Sequence, residues 1–146
     1  MKNKNDLLIL AIGNPARGDD GLGPQFIDEL KKINIESPHC EWDYQLGIEH
    51  SELFSKFKCV LIVDATKTGP GPFQFSSVVP SADTYFSSHV LLPENVVALT
   101  HQLYHTQLKV YLLAIKGESF ELSEHLSAPA RSNLLQAIDW YSSCFT

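Results

Sequence analysis

The chain has 146 residues, 44% of them apolar and 19% charged, and 11 basic against 17 acidic side chains leave it at −6. That length and apolar share suit one domain, residues 1–146, with a core of its own; they exclude two large domains, a collagen-like chain and wholesale disorder. The negative balance supplies no general positive field for nucleic acid or an anionic membrane, so neither is an expected partner.

In chain order, Leu7-Leu-Ile-Leu-Ala-Ile12 is a solid apolar run, as expected of a strand covered on both faces. Leu22, Phe26, Ile27, Leu30 and Ile33 recur at helical spacing and predict a helix over Leu22–Ile33. Residues 40–45 suit a short strand and Glu49–Phe57 a short helix. Val60-Leu-Ile-Val63 is a second buried-strand run that ends at Asp64. Lys67-Thr-Gly-Pro-Gly-Pro72 is loop chemistry, and Phe73–Val79 alternates apolar with polar residues, which predicts an edge strand. Pro93–Tyr104 reads as a helix with Pro93 in its first turn, and residues 109–115 as a third buried strand. The last helix, Ala128–Tyr141, has Ser127 as its cap and Leu134, Leu135, Ile138 and Tyr141 facing inward. Strands alternating with helices predict a three-layer α/β domain with a mostly parallel sheet. Ligands in such sheets bind beyond the carboxyl ends of the strands.

Cys40, Cys59 and Cys144 are odd in number and far apart, which argues against a disulfide framework or a zinc knuckle and fits a reducing compartment. The apolar runs are far too short to span a bilayer. Met1-Lys-Asn-Lys imitates the front of a signal peptide, but the apolar stretch behind it runs straight into Gly13-Asn14-Pro15. A cytoplasmic location is expected.

Three places could carry chemistry. Gly13-Asn-Pro-Ala-Arg-Gly-Asp-Asp-Gly-Leu-Gly23 is a glycine-rich turn between a strand and a helix, where a phosphate could sit. It has neither the G-x-G-x-x-G nor the Gly-Lys-Ser/Thr spacing, and Asp19 and Asp20 would repel phosphate oxygens. One of the two suffices to cap the following helix, which leaves the other to explain. If Asp19 is the cap, Asp19→Ala should remove about 1 kcal/mol. Asp64, at the carboxyl end of a strand, is either an active-site carboxylate or a turn residue. His89, in a polar segment before a helix, suits a neutral imidazole acting as ligand or base, or else an ordinary surface histidine. His101 and His105 lie four apart, but with no glutamate following and no third ligand near, an exposed helical face explains them. His39, His50 and His125 have no local partner that suggests chemistry.

Taken together, Gly13-Asn14, Gly18-Asp19-Asp20-Gly21-x-Gly23, Val63-Asp64-Ala65 and Ser88-His89 resemble the [NiFe]-hydrogenase maturation proteases. These endopeptidases trim the C-terminal tail of a hydrogenase large subunit after nickel insertion. Asp43-Tyr-Gln-Leu-x-x-Glu49 and Ser87-Ser-His-x-Leu-x-Pro-Glu94 look like the branch serving NAD-coupled, bidirectional hydrogenases. The resemblance implies a phosphorylase/hydrolase-like fold of three layers, with a five-stranded sheet mixed through one antiparallel strand, matched here by 73–79. It also implies that an acidic residue, an aspartate and a histidine converge on one metal, matched here by Asp20, Asp64 and His89. Some members carry glutamate where this chain has Asp20.

Two carboxylates and an imidazole can coordinate nickel, yet offer no thiolate to grip it, and three ligands leave positions open. Such a set suits meeting a nickel ion already held by the substrate, the large-subunit precursor, better than storing one. Hydrolysis would use a carboxylate as general base or a metal-activated water. The family's aspartic-type classification does not choose between them. Gln45 and Glu49 are candidates for holding the tail, and a monomer is expected. One rival is a peptidyl-tRNA hydrolase, whose chains also open with a strand and Gly-x-Gly-Asn-Pro-Gly; here Ala16 and two aspartates follow instead, and no T-R-H-N segment appears. Another is a non-catalytic nickel-binding assembly factor.

Overall fold

The computed structural model describes residues 6–33, 38–81 and 91–144. Its elements run β1 (Leu7–Ile12), α1 (Leu22–Lys32), β2 (His39–Asp43), α2 (His50–Ser55), β3 (Cys59–Thr66), β4 (Phe73–Ser77), α3 (Pro93–Tyr104), β5 (Lys109–Lys116) and α4 (Ala128–Cys144). A 3-10 turn, Gly18–Gly21, leads into α1. The strands form one sheet in the order β2-β1-β3-β5-β4. β1 pairs in parallel with β2 and β3, and β3 with β5, while β4 runs antiparallel on the outer side of β5. The alternating run at 73–79 is therefore the antiparallel edge strand, ending two residues sooner than the pattern suggests.

The solid apolar runs are explained by burial on both faces. Leu7, Ile9 and Ala11 join Leu61, Val63, Leu113 and Ile115 under α1 and α4, whose Phe26, Leu30, Leu134 and Tyr141 complete that core. Leu8, Leu10 and Ile12 join Val60, Ile62 and Val110 on the opposite face, under Phe54 of α2 and Val96 and Val97 of α3. Alternate residues of each central strand thus feed two cores, and the result is three layers. Each fully buried leucine or isoleucine there contributes about 1.5–3 kcal/mol relative to exposure. Tyr141 closes the first core with an edge-on contact to Phe26, ring centroids 5.6 Å apart.

Several expectations need correction. β3 does not end at Asp64 but continues to Thr66, with Asp64 opposite Ala114 in the ladder, because β5 extends alongside it to Lys116. Leu135 is 44% exposed rather than inward, since the buried stripe of α4 passes through Ala130, Leu134, Ala137, Ile138 and Tyr141. Ile33 follows the last turn of α1 and is 45% exposed. The helix expected over Glu49–Phe57 is limited to His50–Ser55. No helix among the described residues is long and apolar enough to cross a membrane.

Candidate active site

The carboxyl ends of β1 and β3 lie side by side, and α1 begins directly over them. Gly23 makes this possible: a Cβ there would sit 2.5 Å from the Ile12 carbonyl oxygen and 2.7 Å from that of Val63. Gly13, with φ +143°, turns the chain out of β1, and a Cβ there would collide with the backbone carbonyl of Asp20. The two glycines let the Asp20 turn fold back against the strand ends. Trp42 pins the same corner from β2, donating its indole N–H to the Gly13 carbonyl at 2.8 Å.

Asp20 and Asp64 consequently line one pocket of about 320 Å³, together with Arg17, Ala65, Lys67 and Phe120. One oxygen of each carboxylate is tied down. Asp20 Oδ2 accepts the Asn14 backbone N–H at 2.8 Å, and Asp64 Oδ1 accepts that of Ala65 at 2.8 Å. Among the described residues no hydrogen bond reaches the other oxygen of either group, so each keeps one donor atom for a ligand. Burial pushes the Asp64 carboxyl up to about 7; the Ala65 N–H opposes this and the neighbouring Asp20 charge adds to it. A carboxyl so placed exchanges its proton near neutrality, as a general base requires, and a cation between the pair would relieve both burial and repulsion. Carboxylate oxygens are the donor type that hard and borderline divalent cations take. His89, with Ser87 and Ser88, lies outside the described residues.

Asp19 has a different task. Neither Asp19 nor Asp20 caps α1: Gly21 stands at that cap, and no side chain bonds there. Asp19 is fully buried and points into the β5–α4 connection instead. Its Oδ2 accepts the Glu118 and Ser119 N–H groups at 2.7 and 2.8 Å and the Ser127 hydroxyl at 2.7 Å; Oδ1 accepts the Ser127 N–H at 2.7 Å. Burial alone would raise its pKa, but those four bonds outweigh it and hold the carboxyl below its usual range. Ser127, as expected, caps α4, its Oγ taking the Ala130 N–H at 3.3 Å. Asp19 therefore fastens the Asp20 turn to the start of α4.

Gln45 and Glu49 are both exposed in the stretch after β2 and are not among the residues lining the Asp20–Asp64 pocket. Glu49 belongs to a cluster with Asp43 and His50 whose donor atoms lie within 4.8 Å of one another. A metal fits that cluster poorly. His50 Nδ1 accepts the Gly47 N–H at 2.8 Å, which in a neutral ring leaves the proton on Nε2, 3.3 Å from Asp43 Oδ2. Thus His50 is a buried histidine that holds the 43–50 loop through Gly47 and Asp43. His101 and His105 form no metal-capable group among the described residues. Arg17, Lys67 and Phe120 were not singled out by sequence reasoning. Only their position on loops that border the strand ends marks them.

No family model and no curated protein matches the chain. Solved structures do. A [NiFe] hydrogenase maturation protease, HycI from Thermococcus kodakarensis, superposes with a TM-score of 0.72 at 20% identity, covering 95% of this chain and 91% of its own. The hydrogenase maturating endopeptidase HybD from E. coli does so at 0.72 and 19%, over 94% and 90%. A hydrogenase 2 maturation peptidase from a thaumarchaeote gives 0.69 and 17%, over 97% and 98%. The chain has the fold of these maturation proteases. The likeness covers 94–97% of this chain.

Proposed function

We propose that this chain is an endopeptidase of the [NiFe]-hydrogenase maturation type, which removes the C-terminal extension of a large-subunit precursor after nickel insertion. The observation that carries this reading is the pair Asp20 and Asp64, lining one pocket, each tethered through one oxygen and with no hydrogen bond to the other among the described residues. The fold shared with three maturation proteases supports it. So do the sequence motifs around both residues.

In this proposal the nickel is part of the substrate. Asp20, Asp64 and His89 read it as oxygen and nitrogen donors, without a thiolate to remove it from the precursor. Asp64, the carboxylate near the end of the central strand β3, takes a proton from the attacking water in this reading, as an aspartic-type peptidase would. Asp20 keeps a second negative charge beside it, and Gln45 and Glu49 hold the tail as it approaches. The enzyme acts as a cytoplasmic monomer serving an NAD-coupled hydrogenase.

The test is to incubate the purified protein with nickel-loaded and nickel-free precursor and weigh the large subunit by mass spectrometry. Loss of the extension only from the nickel-loaded form is the expected result. A stable complex without shortening makes the protein an assembly factor, and release of peptide from peptidyl-tRNA makes it an esterase; either result overturns the proposal.

A further inference from the structure

The pocket that holds Asp20 and Asp64 also holds two cations, Arg17 and Lys67, and both side chains are exposed. In a chain of net charge −6 the nearby carboxylates would be natural partners, yet neither cation forms an ion pair among the described residues. Their backbones are fixed. The Lys67 carbonyl accepts Lys116 Nζ at 2.8 Å, and that ammonium also reaches the Gly69 carbonyl at 3.1 Å. The Lys67 ammonium itself lies 4.9 Å from the centre of the Phe120 ring, a cation–π contact that holds it without neutralising it. Arg17 N donates to the Asn14 carbonyl at 3.1 Å, and its carbonyl accepts the Asp20 N–H at 3.2 Å. The arginine is thus set on the same turn as Asp20. A second cavity of about 410 Å³, lined by Gly117, Glu118, Ser119 and Glu121, shares Lys67 and Phe120 with the first.

We propose that Arg17 and Lys67 form an anion subsite that takes a carboxylate of the substrate polypeptide beside the bond presented to Asp20 and Asp64. This rests on the endopeptidase reading and adds a substrate preference to it. Two cations without an ion pair among the described residues, set next to two carboxylates, would orient a polypeptide: its carboxylate goes to the cation side, and its carbonyl and metal-bearing part to the acid side. Either an aspartate or glutamate side chain or the free terminal carboxylate supplies the same chemistry.

The test uses Arg17→Gln, Lys67→Gln and the double variant on nickel-loaded precursor. Synthetic peptides of the removed extension serve as inhibitors in four forms: free acid or terminal amide, with acidic side chains intact or changed to amides. Each single variant should raise KM about fivefold and the double variant about twentyfold, with the effect on KM rather than kcat and the melting temperature retained. For the wild type, neutralising the carboxylate that is read should weaken inhibition about fivefold, and the double variant should not distinguish the peptides. Sensitivity to terminal amidation names the chain end as the source; sensitivity to the side-chain change names an acidic residue. Equal inhibition by all four peptides, or none, overturns the subsite, as does a double variant with wild-type KM. A wild type that leaves the precursor whole overturns the endopeptidase reading itself, a different outcome.

Discussion

Asp19 and Asp64 are both aspartates withdrawn from water, and their hydrogen bonds give them opposite behaviour. Asp19 has four donors around it, so its charged form is favoured in the folded state. Its contribution to stability is present above pH 3.8 and is lost as acid protonates it. Asp19→Ala should therefore lower unfolding free energy by about 3–5 kcal/mol near pH 7, well beyond the effect of a lost cap, because three backbone N–H groups lose their acceptor. Urea midpoints at pH 7 and pH 3 check this, and the difference should shrink at pH 3. Asp64 runs the other way. Burial raises its carboxyl from 3.8 to about 7, so between those values the folded protein keeps a proton that the unfolded chain has released. Stability then falls as pH rises through that window, and Asp64→Asn should remove the fall. Thermal melts of metal-free protein should show the variant more stable than wild type at pH 8, with the gap closing toward pH 4. The same variant should be inactive, the exchange of stability for function expected at an active site.

The elements were legible where burial is two-sided. Leu7–Ile12 and Val60–Val63 stand out as unbroken apolar runs because β1 and β3 are central, and Phe73–Ser77 alternates because β4 is an edge. What escaped was set by pairing across the chain. β3 extends past Asp64 because β5 continues beside it, and Asp19 finds its acceptor role with Ser119, 100 residues away. Neither leaves a local pattern. Asp20 and Asp64 were legible as motif residues, but the pocket's cations were not, since Arg17 and Lys67 look like ordinary loop charges. The α1–sheet junction is where element and site meet. Gly23→Ala would press a methyl group onto the Ile12 and Val63 carbonyl oxygens and tilt α1 away from the strand ends. It should lower stability by about 2–3 kcal/mol, seen in urea midpoints, and activity should fall with it as Asp20 moves from Asp64.

For the molecule as a whole, the arrangement is a three-layer frame whose carboxyl edge carries oxygen donors and, among the described residues lining the Asp20–Asp64 pocket, no thiolate. Nickel added to the isolated protein should therefore dissociate on gel filtration and raise the melting temperature only at concentrations far above that of the protein. Nickel carried by the precursor should keep the two proteins together. The proposed activity depends on Asp20, Asp64 and His89 meeting at one cation, and anomalous scattering from crystals grown with cadmium or nickel tests that directly. The predicted result is a single peak within coordinating distance of both carboxylates and the His89 ring. A peak at Asp43, Glu49 and His50 with none between Asp20 and Asp64, or no peak at either place at saturating metal, would contradict it.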